Sequence, residues 1–163
     1  MLVYLVLTGL AKSQQLTRYV NPFIGTIFEG SVYPGATLPF GMVQMSPDNG
    51  LTEKDRGEGL SSGYSYTKNI IKGFSHTHLS GAGRPALGDI SVLPMVGKEP
   101  SAEDIRSDIS HQEESASAGY YSVMLKSFGI KAEVESQRSR NVGNTGFERT
   151  GVVRMEAPSH PSR

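Results

Sequence analysis

Among its 163 residues the sequence has no cysteine and no tryptophan. Without cysteine there is no disulfide framework, no thiolate zinc site, no thiol nucleophile and no lipid-bearing N-terminal cysteine. Charge of one sign is also lacking. Lys and Arg number 16 against 16 Asp and Glu, so no overall field recommends nucleic acid or an anionic membrane as a partner. Long hydrophobic runs are missing as well: the one sustained stretch, Leu2 to Leu10, has nine residues, and a bilayer span needs roughly 20. Helical periodicity is scarce, limited to one short turn at Ser101-Ala-Glu-Asp-Ile-Arg, where a Ser cap is followed by Asp104. Turn chemistry is abundant, with 19 Gly and 9 Pro. A chain of this size supports one compact, turn-rich domain.

The two ends differ from the middle. After the apolar stretch come Ala11-Lys12-Ser13 and then Gln14, small residues where a signal peptidase reads, although the basic n-region is absent. Residues 1–13 are therefore read as a partial secretory signal, which places the mature domain from Gln14 outside the cytoplasm, in the periplasm or the medium. Beyond Glu135 the composition shifts: residues 136–163 carry five arginines against Glu148 and Glu156, a local charge of +3, and no apolar period survives. The expectation there is a solvated tail, since a basic nucleic-acid arm would need aromatic stacking platforms.

Between the ends the signals are those of strands. Tyr120 to Ser127, Phe128-Gly129 and Ile130 to Glu135 read as a hairpin turning at Gly129, with Ile130, Ala132 and Val134 on one face and Lys131, Glu133 and Glu135 on the other. Phe40 to Met45, Ile70 to Phe74 and Asp89 to Met95 are further short apolar runs bounded by Gly or Pro. The spacing predicts an all-β fold, an antiparallel β-sandwich over residues 14–135.

Its chemistry must then lie in loops. His76-Thr77-His78 puts two imidazoles at i and i+2, which on a strand share one face, but two histidines fall short of the ligand count of a zinc centre, so a polar or ligand-facing pair is the better reading. Gly81-Ala82-Gly83-Arg84-Pro85 fails as a phosphate loop, because position 86 is Ala and Pro85 removes a donor. No G-x-S-x-G elbow exists. Tyr33, Tyr64, Tyr66 and Phe74 sit beside turns with Ser, Asn and His nearby, the mixture that sugar sites use, although any single ring is more often core.

Taken together, Val20-Asn-Pro-Phe-Ile-Gly-Thr26, Tyr33 to Asp48, Ser62-Gly-Tyr-Ser-Tyr66, Ile71 to Gly81, Leu87-Gly-Asp-Ile90, Gly119 to Leu125 and Ile130 to Glu133 resemble, in order, the N-terminal domain of glycoside hydrolase family 92. The resemblance covers about residues 19–135. It implies a calcium-dependent exo-α-mannosidase that inverts configuration, in which a β-sandwich packs on a large α-helical barrel. One carboxylic acid protonates the leaving oxygen and a second carboxylate activates water on the opposite face, and those carboxylates and most calcium ligands belong to the barrel.

For this chain the resemblance therefore implies no catalytic residue, no metal of its own and a partner in the missing barrel, with mannose-containing glycans as the substrate of the whole. Tyr64, His76, His78, Ser80, Gly81 and Asp89 become the candidates for the pocket rim or the domain interface. Where many members carry a Trp before a Ser-Gly-Tyr-His-Tyr block, this chain has Leu60 and Ser65. The break at Glu135 is read as a truncation or frameshift. The rival reading is a free-standing carbohydrate-binding module, which needs a pocket complete within one domain.

Overall fold

The computed structural model describes residues 16–27, 31–39, 41, 43–50, 62–81, 87–97, 105–138 and 149–156. The signal-like stretch, the Ser101 cap and Ala82-Gly83 lie outside them. Among the described residues ten strands form, all paired antiparallel: β1 (Ala36–Thr37), β2 (Gln44–Asp48), β3 (Ile70–Ile71), β4 (Gly73–Ser75), β5 (Ser91–Val92), β6 (Ser107–Asp108), β7 (Glu114–Ser117), β8 (Tyr120–Leu125), β9 (Ile130–Arg138) and β10 (Arg149–Glu156). The described residues also hold two short 3₁₀ turns, Leu16–Tyr19 and His111–Glu113.

The larger sheet has the order β10-β9-β8-β7, and its centre is the expected hairpin, with Leu125 opposite Ile130 and Gly129 at φ +64°. Period-2 alternation fixes which face is buried. Tyr121, Val123 and Leu125 on β8 and Ile130, Ala132 and Val134 on β9 all turn inward. The second sheet, β1-β2-β4-β5, lies across them, adding Ala36, Met45 and Phe74 to the same core. Phe74 meets Tyr121 edge-on at 6.3 Å, and the Ser136 hydroxyl donates to the Ala36 carbonyl at 2.6 Å, so ring packing and a hydrogen bond both join the sheets. The antiparallel sandwich expected from the sequence is the observed fold.

Two expected strands change shape. The run Ile70 to Phe74 is divided at Lys72, whose N–H donates to the Asp48 carbonyl; β3 then pairs with β6 in a small separate sheet, while β4 pairs with β2 and β5. Of the run Phe40 to Met45, Phe40 and Met42 lie outside the described residues, while Gln44 and Met45 open β2, which continues through Pro47 to Asp48.

The composition shift after Glu135 does not end the sheet. β9 runs on to Arg138, and β10 pairs with it over eight positions, from Arg149 opposite Arg138 to Glu156 opposite Lys131. An edge strand tolerates this arginine-rich sequence because one of its sides stays in water.

Candidate functional site

Alternation along Gln44-Met-Ser-Pro-Asp48 sends Met45 into the core and Ser46 and Asp48 to the outer face of their sheet. Register places Ser75 opposite Ser46 and Gly73 opposite Asp48 on that same outer face. Ser46, Asp48 and Ser75 are nonetheless buried, because loops cover them. The cover consists of Ser62 to Tyr66 and Ser75 to Gly81, which carry the rim candidates Tyr64, His76, His78, Ser80 and Gly81.

Asp48 binds both covers. Its Oδ1 lies 2.9 Å from His78 Nε2, with the His78 and Asp48 side chains 2 % and 0 % exposed. His78 Nδ1 donates to the Gln44 carbonyl at 2.7 Å, since a carbonyl can only accept, and Nε2 faces Asp48 Oδ1 at hydrogen-bond distance. Gly63 passes so close that a Cβ there would lie 2.4 Å from Asp48 Oδ1, and its φ is +83°. Asn49 extends the clasp: its amide donates to the Ser65 carbonyl and its carbonyl oxygen accepts from the Ser65 N–H, both at 2.8 Å. Tyr33 leans on the His78 ring at 5.1 Å between centroids.

Ser75, His78 and Asp48 have the composition of a catalytic triad but not its geometry. Ser75 Oγ, at 3.1 Å, and Asp48 Oδ1 both address Nε2, so no nitrogen is left to relay a proton from hydroxyl to carboxylate. The cluster is a structural clasp. Ser46 Oγ and Asp48 Oδ2 are buried within it with no hydrogen-bond partner among the described residues.

His76 has a different fate. Its Nδ1 donates to the Ile90 carbonyl at 2.7 Å, and its N–H donates to the Asp89 carbonyl. Thr77 Oγ1 donates to Asp89 Oδ2 and accepts from the Asp89 N–H, and the Gly88 N–H donates to the Thr77 carbonyl. These bonds continue the β4–β5 pairing of Phe74 with Val92 and Ser75 with Ser91 into an irregular hairpin arm. His76, Ser80, Gly81 and Asp89 lie on this arm at its surface, and the Gly81 N–H donates to the Ser31 carbonyl at 2.6 Å. The two histidines do not converge, and among the described residues no three His, Asp or Glu side chains form a cage for the calcium that the resemblance implies.

Tyr64 does not line a rim. It is wholly buried, and its hydroxyl donates to Glu114 Oε1 at 2.7 Å beside that of Tyr121 at 2.6 Å. His111 Nδ1 donates to the other Glu114 oxygen, and its ring stacks on Tyr66 with centroids 3.9 Å apart. Burial first, and then the charge of Glu114, push both phenols well above the ordinary tyrosine range. Sequence reasoning passed over Asp48, Asn49 and Gly63. The alternation that puts Ser46 and Asp48 on one face was the available signal.

Nearby, an open cleft of about 500 Å³ is lined by Asn21, Phe23, Ile24, Gly25, Ile27 and Tyr66, mostly apolar.

Comparison with known proteins ties this arrangement to one family. The glycosyl hydrolase family 92 N-terminal domain matches residues 19–161. A family GH92 α-mannosidase from Bacteroides thetaiotaomicron, solved with mannoimidazole, is 42 % identical with a TM-score of 0.71, over 89 % of this chain and 18 % of that chain. A family GH92 inverting mannosidase from the same organism is 29 % identical with a TM-score of 0.58, over 76 % of this chain and 17 % of that one. An uncharacterised secreted glycosidase of Arthroderma benhamiae is 30 % identical over 125 residues, 72 % of this chain and 15 % of that protein. The chain thus spans less than a fifth of the length of these relatives. On the match across residues 19–161, which takes in β10 as well as the clasp and the arm, the chain belongs to glycosyl hydrolase family 92, as its N-terminal domain.

Proposed function

We propose that the chain is the non-catalytic front domain of an α-mannosidase-like glycoside hydrolase that removes terminal α-mannosyl residues from glycans with inversion. The observation that carries this is the 42 % identity, across 89 % of the chain, to an α-mannosidase solved with mannoimidazole. The domain supplies scaffold and rim. His76, Ser80, Gly81 and Asp89 stand on the exposed arm as the groups that meet the sugar site or the neighbouring domain, while His78 and Tyr64 act from beneath by fixing the two covering segments.

Protonating the glycosidic oxygen and activating water require two carboxylates on opposite faces of a sugar. In this reading, those groups and the calcium that holds the sugar belong to the α-helical barrel domain of the longer protein, and mannose-containing glycans are the substrate of the whole. The work is done outside the cytoplasm. That placement is supported by the signal-like residues 1–13 and by the secreted relative.

The test is a graft. Residues 19–156 replace the matched portion of the Bacteroides thetaiotaomicron α-mannosidase, and hydrolysis of an aryl α-mannoside is followed by proton NMR. Calcium-dependent release of β-mannose by the graft, with no turnover by the 163-residue chain alone, is the expected result. A graft that folds, as judged by circular dichroism, yet never hydrolyses the substrate overturns the reading.

A further inference from the structure

Asn49 is the one asparagine of the chain that precedes a glycine. With no Cβ on Gly50 to hinder the approach, the Gly50 backbone nitrogen can attack the Asn49 side-chain amide and close a cyclic imide, a succinimide. The atoms balance within the chain. A bond forms from Gly50 N to Asn49 Cγ, the Cγ–Nδ2 bond breaks, and the proton released by Gly50 N departs with Nδ2 as ammonia. Water then opens the imide at either carbonyl, returning a proton to the nitrogen and leaving an aspartyl or an isoaspartyl residue.

The fold withholds what this reaction needs. The Gly50 N–H donates to the Gly63 carbonyl at 3.2 Å, beside the Asn49 N–H at 2.9 Å, so the attacking nitrogen keeps its proton. The Asn49 amide is held on both its oxygen and its nitrogen by the Ser65 backbone at 2.8 Å. Asn49 is also 0 % exposed, which keeps base and water away. Gly63 and Ser65 both belong to the covering segment Ser62 to Tyr66, whose Gly63 passes against Asp48. Reactivity of Asn49 and closure of that segment are therefore one local equilibrium.

We propose that Asn49-Gly50 is a self-modification site held shut by the covering segment: when the segment lifts, the imide forms, and its product bars the segment from closing again. The second half follows from hydrogen-bond chemistry. Asn49 Nδ2 donates to the Ser65 carbonyl, whereas a carboxylate only accepts, so the aspartyl product sets a charged oxygen against that carbonyl in a buried place. The isoaspartyl product lengthens the backbone between positions 49 and 50 and carries the Gly50 N–H away from the Gly63 carbonyl. Opening of the cover thus leaves an irreversible chemical record, independent of the function proposed above.

Peptide mapping by mass spectrometry follows each asparagine of the 163-residue chain at mildly alkaline pH, in urea and in buffer. In urea Asn49 converts faster than the other asparagines, and in buffer it converts at least about tenfold more slowly than in urea. Gly63→Ala, which unseats the segment, speeds conversion in buffer at least about fivefold and leaves the rate in urea unchanged. In the unsubstituted chain, urea below the unfolding transition raises conversion in step with deuterium exchange of the Ser65 amide, a test that stands even where Gly63→Ala does not fold. Asn49→Asp, the aspartyl product made directly, lowers Tm by at least about 3 °C and speeds Ser65 amide exchange.

Equal rates in urea and in buffer, or no conversion of Asn49 in urea, overturn the site. Conversion that responds neither to Gly63→Ala nor to low urea overturns the guarding role of the segment. An Asn49→Asp chain with unchanged Tm and Ser65 exchange overturns the block on reclosure.

Discussion

Asp48 is the residue on which the local architecture turns. One carboxylate oxygen meets His78 from the arm and the backbone of Gly63 from the other covering segment, all beneath the surface. Removing the carboxylate takes a hydrogen-bond partner from the buried His78 Nε2, so Asp48→Ala should cost about 1–3 kcal/mol by urea unfolding. Gly63→Ala should cost about 2 kcal/mol or more, because the added Cβ meets Asp48 Oδ1 at 2.4 Å and φ is +83°. The two losses share one cause. In the Asp48→Ala background much of the Gly63→Ala penalty should vanish, whereas additive losses would show that Gly63 suffers from backbone strain and not from Asp48. The sequence announced His76 and His78 as a polar pair, but their separation into an arm pin and a buried clasp depends on Ile90, Gln44 and Asp48, residues 14 to 34 positions away. No local pattern encodes those distances. Tyr64 shows the converse: a ring beside a turn reads as a sugar platform until Glu114, 50 residues on, claims its hydroxyl.

At the scale of elements, the parts legible in the sequence are those whose burial is one-sided and local. The β8–β9 hairpin is the clearest case, since Ile130, Ala132 and Val134 alternate with charges and Gly129 takes the left-handed turn. β10 was illegible because an edge strand receives less burial to imprint a period, and Arg149, Arg154 and Glu156 read as solvated tail. The pairing makes a direct prediction. Amides of β10 that hydrogen-bond to β9 should exchange with deuterium at least about tenfold more slowly than the same residues in a denatured reference, and a chain ending at Arg138 should expose the β9 edge and aggregate. Exchange of residues 149–156 at the free-peptide rate would show that the sheet stops at β9. Division of the Ile70–Phe74 run between two sheets also escaped the sequence, because it is set by the Lys72 N–H finding the Asp48 carbonyl.

Across the whole molecule, Glu114 fastens parts that are remote in sequence. Tyr64 reaches it from the segment covering the second sheet and Tyr121 from β8, while His111 completes its shell. Both phenols can donate only while protonated, which gives stability a defined dependence on alkaline pH. Their folded values are raised above the ordinary tyrosine value of about 10, so below pH 10 the stabilisation is fully present. Above pH 10 the unfolded chain releases protons that the folded chain retains, and stability is lost as pH rises. Each such tyrosine contributes a slope approaching about 1.4 kcal/mol per pH unit well above pH 10.

Tyr121→Phe isolates one of the two. At pH 8 it should lower unfolding free energy by about 1–2 kcal/mol, since Glu114 loses a donor in a buried site. Between pH 10 and pH 11.5 the wild-type chain should then weaken faster than the variant, so that their difference shrinks as pH climbs. The other tyrosines titrate in both proteins and cancel from the comparison. Urea unfolding at a series of pH values gives both slopes directly. Parallel slopes would mean that Tyr121 ionises as readily in the folded chain as in the unfolded one, and that the fastening of the covering segment to β8 does not depend on its proton.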